Sequence, residues 1–238
     1  MFRMLHIIVL IVLFNPSCMS QTQKTMNYEE KRAAMVRNQI KSRGIRDEKV
    51  LNAMLKVERH RFVPSSYRSE AYEDYPLPIG EGQTISQPYI VAFMTEALRL
   101  KPEDRMLEVG TGSGYQAAVL AEICDSVFTI EIFPSLASSA SQVLTELGYD
   151  NIFIKTGDGY LGWEEHAPFD CIMVTCSPTH IPKPLEEQLA EGGRMIIPVG
   201  AVYTQELYLF EKKKGKLTQK SILPVRFVPM IDEKGRKY

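Results

Sequence analysis

Glu108, Gly110, Gly112, Gly114 and, further along, Glu131 have the types and spacing to hold a nucleoside. Glycine lets the main chain take φ > 0 and lets a ligand lie against the backbone without meeting a Cβ. An apolar run, Met106, Leu107 and Val109, leads into the glycines and reads as a buried strand. Residues 116–123 (Gln-Ala-Ala-Val-Leu-Ala-Glu-Ile) leave them and read as a helix. A helix start offers free N–H groups and the positive end of its dipole. Residues 126–130 (Ser-Val-Phe-Thr-Ile) read as a second strand, and it ends on Glu131. An acid about 20 positions past the first glycine, at the close of the next strand, is placed to accept hydrogen bonds from both hydroxyls of a ribose.

The spacing separates this turn from a dinucleotide site. It runs Gly-x-Gly-x-Gly, whereas a pyrophosphate cradle uses Gly-x-Gly-x-x-Gly. Glu108, ahead of the glycines, suits a cationic or amino-bearing ligand better than a phosphate. An acid-x-Gly-x-Gly-x-Gly run after a strand is the usual signature of an S-adenosyl-L-methionine site. That cofactor is therefore expected, on Glu108, Gly110, Thr111, Gly112, Gly114 and Glu131. A glycine turn serving only a tight strand–helix corner is the alternative, and Glu131 in register weighs against it.

These residues need a frame. From Tyr28 to Ser42 the chain reads as a charged helix with Met35, Val36 and Ile40 on one face, stopped by Gly44. Asp47 is placed to cap a second helix carrying Val50, Leu51, Met54 and Leu55. Residues 59–88 show no periodicity and are rich in proline, glycine and tyrosine; a loop of that length in a compact domain is usually functional. Ser86, just ahead of Pro88 and the helix marked by Ile90, Val91, Met94, Ala97 and Leu98, is a candidate N-cap. After Glu131, a helix opens at Pro134 and ends at Gly148. Strands follow at 152–155, 169–174 and 194–199, with a short helix near 185–190. A final pair, 206–211 and 222–228, is joined by a turn at Lys214-Gly215. Strands alternating with helices predict an α/β fold with a doubly wound, mostly parallel sheet and an antiparallel finish.

Ligands of such sheets bind beyond the carboxyl ends of the strands. That rim would carry the glycine turn, Glu131, Asp158 (between Gly157 and Gly159) and Thr175. Asp158 is placed to accept a hydrogen bond from an exocyclic adenine amine, with Gly159 beside it; an ordinary Asp-Gly turn is the other reading.

The chain has 238 residues, 45% of them apolar and 24% charged, with a formal net charge of −1. These are the proportions of a globular protein, and they give no footprint for nucleic acid. The cysteines (Cys18, Cys124, Cys171, Cys176) lack paired metal-ligand spacing, so no metal is expected and a reduced, intracellular set is. The N-terminus is discordant. Arg3, the apolar run 4–14 and small residues near Cys18 resemble a signal peptide, too short for the roughly 20 residues of a spanning helix. S-adenosyl-L-methionine is made and kept in the cytosol, however, and Met19, Met26 or Met35 would serve as an alternative start. The expected location is the cytoplasm; export, or a lipid anchor at Cys18, is the alternative.

The segment Gly80-Glu81-Gly82-Gln83-Thr84-Ile85-Ser86-Gln87-Pro88, together with residues 107–116, Gly157-Asp158-Gly159, Glu191-Gly192-Gly193, Pro198-Val199-Gly200 and Arg226-Phe227-Val228-Pro229, resembles the protein-L-isoaspartate O-methyltransferases over about 35–229. The resemblance implies a class I, Rossmann-like methyltransferase with an N-terminal helical extension. It implies transfer of a methyl group to the free carboxylate of L-isoaspartyl and D-aspartyl residues in age-damaged proteins and peptides. It also assigns the active-site role to Ser86, with Thr84, Ile85, Gln87 and Thr175 on the substrate side. Residues 176–182 depart from the family pattern, and His180 in that stretch receives no role. Four segments are expected: a leader (1–27), N-terminal helices with the substrate loop (28–100), the methyltransferase core (101–230) and a tail (231–238). The expected protein is monomeric, with no stable membrane span.

A carboxylate is already ionised at neutral pH, so its methylation needs no general base. A closing loop and one orienting hydroxyl suffice, and residues 80–88 offer both. Two rivals remain at this level: a small-molecule O-methyltransferase on the same fold, and a lipid-anchored binding protein that keeps the nucleoside site without turnover.

Overall fold

The computed structural model describes residues 27–201 and 204–238; all of the expected leader but Asn27 lies outside them. Asn27 opens the first helix, α1 (Tyr28–Met35), through a reciprocal capping box with Glu30. The helix then widens into a π turn over Val36–Ile40 and tightens over Lys41–Arg43 before Gly44 stops it at φ 103°. Asp47 caps α2 (Glu48–Lys56) by accepting from the Lys49 N–H. The long aperiodic stretch is more ordered than its sequence announces. It holds short 3-10 turns at Arg59–Arg61 and Ser65–Glu70, then a hairpin of β1 (Leu77–Gly80) and β2 (Gln83–Ile85). Gly80, Glu81 and Gly82 all have positive φ at its tip, the conformation a tight hairpin demands.

The main sheet is built from β3 (Arg105–Val109), β4 (Ser126–Glu131), β5 (Ile152–Thr156), β6 (Phe169–Val174), β7 (Leu189–Ala201), β8 (Thr204–Lys213) and β9 (Lys216–Val225), in the order β5-β4-β3-β6-β7-β8-β9. Pairings from β5 to β7 are parallel, and β8 and β9 add antiparallel strands through the Lys214-Gly215 turn. Helices α3 (Pro88–Ala97), α4 (Tyr115–Ala121), α5 (Pro134–Glu146) and α6 (Lys183–Gln188) complete the fold. Residues 189–190, read from the sequence as helix, begin β7 instead, because Leu189 pairs with Phe169.

Alternation along β3 divides the core. Met106 joins the apolar cluster that includes α2, α3 and α4; Leu107 and Val109 join the cluster on the α6 face. Chain order reverses between β3 and β6, so a crevice opens beyond their carboxyl ends.

Candidate active site

At the end of β3 the chain takes φ 101°, 54° and 86° at Gly110, Gly112 and Gly114, a path open to side chains only under strain. Space is short as well. A Cβ on Gly110 would overlap Thr175 Oγ1, and one on Gly114 would press on Leu144 and Ala140 of α5. Thr175 follows β6; its Oγ1 is 2.8 Å from the Gly110 carbonyl and 3.0 Å from that of Val109. It ties together the two strands that flank the crevice.

Glu131 closes β4 at 5% exposure and braces the turn. Its Oε2 accepts from the Gly112 N–H at 2.7 Å and its Oε1 from the Phe133 N–H at 3.0 Å. Burial raises its pKa, and these backbone donors oppose the rise. The carboxylate lines a cavity shared with Gly110, Gly112, Gly159 and Thr175, whose apolar walls include Ile132, Phe133 and Met230. A second cavity continues from Gly110 and Gly112 past Thr111 and Ser113 to Ser86 and Ile85. A third, of about 530 Å³, runs between Ser86, Gln87 and Ile90 on one side and residues 224–228 on the other. Thr84 and Thr175 line all three. The arrangement is a slot with a buried acid at one end and a groove at the other.

Ser86 does not cap α3. The N-cap is Gln87, which makes no side-chain cap bond, and Pro88 opens the helix. The capping expectation failed because Pro88 shifts the boundary by one residue and so leaves Ser86 on the cavity wall. Its hydroxyl makes no hydrogen bond among the described residues, while its carbonyl accepts from Arg59 Nη2 at 2.8 Å. Gln87 is turned aside, its amide donating to Asp74. Ile85 is buried beneath the hairpin, and Thr84 is exposed.

Three expected cofactor residues stand back from the cavity walls: Gly114, packed on α5, Glu108 and Asp158. Glu108 is 0% exposed; its Oε2 accepts from Thr129 Oγ1 at 2.5 Å, and Thr129 Oγ1 lies 2.7 Å from Thr111 Oγ1. Its reach to the glycine turn is therefore indirect. Burial pushes its pKa up to about 8. The reason is alternation: the side chain of Glu108 points into the helical layer, away from the crevice. Asp158 accepts from the Tyr160 N–H at 2.9 Å and from the Tyr238 hydroxyl, so both its oxygens are engaged by the protein.

Sequence reasoning missed three contributors. Arg59, one of several basic residues in a row, is fully buried. Thr129 carries the contact to Glu108. Residues 228–231 form a wall of the first cavity. The divergent stretch after Thr175 holds that wall in place: Ser177 N donates to Val228 O at 2.8 Å, and Met230 N donates to Ser177 O at 2.9 Å. His180 is exposed, 3.3 Å from the Tyr160 hydroxyl.

The sheet order, the glycine turn and the acid at the end of β4 define a class I methyltransferase fold. A chain of 32% identity named protein-L-isoaspartate O-methyltransferase superposes with a TM-score of 0.79, over 86% of this chain and 67% of that one. A candidate protein-L-isoaspartate O-methyltransferase from Plasmodium falciparum, solved in complex with S-adenosyl-L-homocysteine, gives 0.75 at 31% identity over 86% and 98%. The chain belongs to the protein-L-isoaspartate(D-aspartate) O-methyltransferase family, whose model matches residues 30–235. Among curated relatives, the protein-L-isoaspartate O-methyltransferase of Opitutus terrae is 57% identical over 85% of this chain and 88% of its own. That of Gloeobacter violaceus is 52% identical over 86% and 100%.

Proposed function

We infer that this chain methylates the free carboxylate of L-isoaspartyl and D-aspartyl residues in damaged proteins and peptides, with S-adenosyl-L-methionine as methyl donor. The observation that carries this reading is the meeting of three cavities at Thr84 and Thr175, with Ser86 on the wall. A slot fit for a nucleoside thereby opens onto a groove wide enough for an extended peptide.

The residues present fit the cofactor. Glu131 retains lone pairs for ribose hydroxyls beyond the two backbone donors it already serves. The apolar walls at Phe133 and Met230 suit an adenine ring, and Gly110 and Gly112 leave the backbone open beside it. Thr111 lines the adjoining cavity, while Gly114 and Glu108 act behind that surface, through helix packing and the Thr111–Thr129–Glu108 chain. Asp158 and Gly159 hold the far end, Gly159 at the wall itself. When bound, the cofactor supplies an electrophilic methyl group on a sulfonium.

The chain's own task is to orient and to exclude water. Ser86, with Thr84 and Thr175 around it, donates a hydrogen bond that sets the direction of the acceptor carboxylate. Ile85 and Gln87 fix the loop from which Ser86 projects. The reaction joins an anion and a cation into neutral products, so water exclusion and alignment supply most of the rate and no general base is needed. The adjacent backbone amide nitrogen then attacks the ester carbonyl and methanol leaves, closing a succinimide without further help from the enzyme; water opens the ring and returns part of it to normal aspartate.

The test is transfer of labelled methyl from S-adenosyl-L-methionine to an isoaspartyl peptide beside its aspartyl twin. Label on the first alone is expected; equal labelling, or none, would overturn the reading. The same reading places the enzyme in the cytoplasm as a monomer, where its cofactor is made. No helix among the described residues is long and apolar enough to cross a membrane. Cell fractionation and sedimentation check location and state, and activity confined to a membrane or exported fraction would count against the cytoplasm.

A further inference from the structure

We propose that Arg59 is a positioning residue for methyl transfer, fixing the main chain of Ser86 against the cofactor turn; this rests on the reading of Ser86 given above. Arg59 is 0% exposed and heads the fully buried side chains by volume. Its Nε donates to the Ala71 carbonyl at 2.7 Å and its Nη2 to the Ser86 carbonyl at 2.8 Å. Its guanidinium carbon lies 4.8 Å from the centroid of the Tyr115 ring. Tyr115 opens α4 directly after Gly114, and it lines the cavity that Ser86 also lines. One planar group thus spans the turn at Ala71, the acceptor serine and the first residue beyond the glycines.

The electrostatics are unusual for a residue kept only for stability. Buried arginines are ordinarily paired with a carboxylate. The groups that face Arg59 electrostatically are Tyr115 and Tyr72, and Nη1 has no hydrogen-bond partner among the described residues. Burial draws its pKa down to about 10, which leaves it charged at neutral pH. An incompletely paired cation in the core opposes folding, and apolar side chains of similar volume often do better there. What Arg59 supplies and an aliphatic chain lacks is a rigid fork, with donors in fixed directions onto two carbonyls. Since the Ser86 hydroxyl makes no bond of its own, the backbone alone sets its place. A shift of about 1 Å in that place is enough to spoil the alignment of acceptor and methyl group.

Arg59→Lys tests the idea, because an ammonium keeps the charge but loses the fork. At saturating cofactor, kcat on isoaspartyl peptide should fall about tenfold or more. The Kd for S-adenosyl-L-homocysteine should stay within about twofold, measured well below the melting temperature of the variant. Unchanged kcat in a folded variant would overturn the proposal. So would a loss of turnover matched by an equal loss of S-adenosyl-L-homocysteine binding, which marks general damage. Should the variant not fold, nitrogen-15 NMR of the Arg59 guanidinium in the wild-type protein decides. Hindered rotation and a slowly exchanging Nη2 proton are expected from its bond to the Ser86 carbonyl, and free rotation would refute the anchoring. Ser86→Ala runs alongside. Normal turnover there sinks both the Ser86 reading and this inference, whereas slow Ser86→Ala beside normal Arg59→Lys sinks only the inference.

Discussion

Ser86 illustrates how one residue boundary changes a prediction. Because Gln87 holds the N-cap position, Ser86→Ala should alter stability by less than about 0.5 kcal/mol. Its kcat/KM for isoaspartyl peptide should still fall about tenfold or more through one lost hydrogen bond to a charged group. Denaturant unfolding and steady-state kinetics check the two halves, and a destabilised protein with normal turnover would contradict both. Glu131→Ala should weaken cofactor binding by about 2 kcal/mol or more, and titration calorimetry measures it. Glu108 gives a pH prediction. Its pKa rises from the ordinary 4.5 to about 8 in the fold, so the native protein holds a proton that the unfolded chain has released. The stability from that proton is fully present below about pH 4 and is lost as pH rises through 8. Glu108→Gln stays neutral throughout and should exceed the wild type in stability by more than about 1 kcal/mol at pH 8, with the gain shrinking toward pH 5. Urea unfolding at both pH values is the measurement; an equal difference at each would mean that Glu108 is ionised in the native protein.

At the scale of elements, the glycine turn is shaped by its neighbours as much as by any ligand. The hairpin meets it at Ile79, which lies where a Cβ on Gly112 would come within 3.3 Å, and meets α5 through Glu81 Oε1, which accepts from Ser135 Oγ at 2.7 Å. Gly110→Ala would need both a strained φ and room that Thr175 fills, and it should lose about 2 kcal/mol or more of stability. Thr175→Ala removes the overlapping hydroxyl, so the double variant should be more stable than the sum of the single losses implies. Strict additivity in a thermal denaturation cycle would show that Thr175 relaxes away freely. The hairpin itself escaped sequence reading, because β1 and β2 are 4 and 3 residues long with no alternation to detect. The glycine-rich tip was visible; its docking partner was not.

Across the whole molecule, the C-terminal segment returns to the crevice from the far edge of the sheet. Residues 228–231 line the first cavity, and Tyr238 stacks on Tyr160 with ring centroids 4.2 Å apart while its hydroxyl engages Asp158. The Thr179 N–H donates to the Tyr238 carbonyl at 3.0 Å. Removing residues 232–238 should therefore weaken cofactor affinity by about tenfold and change the melting temperature little, since few apolar contacts are lost. Calorimetry and thermal unfolding separate the two, and unchanged affinity would detach the tail from the site.

The strand–glycine–helix unit, the acid at Glu131 and the Pro134 and Gly148 helix limits are local signals that appear where their residues predict them; the antiparallel finish is present too, but its last strand runs Lys216–Val225 rather than over 222–228. Glycine spacing, caps and apolar periodicity act within a few residues of one another, so the chain alone determines them. Which way a side chain faces and what meets it across the fold are decided by packing. Glu108 turns into the helical layer because strand alternation and the neighbouring Thr129 leave it no other room. Asp158 is met by a tyrosine 80 positions away in the chain. Arg59 looks like any basic residue until burial places its guanidinium between Ala71, Ser86 and Tyr115. Contacts between residues so distant in sequence leave no periodic trace, and only the closed fold brings them together.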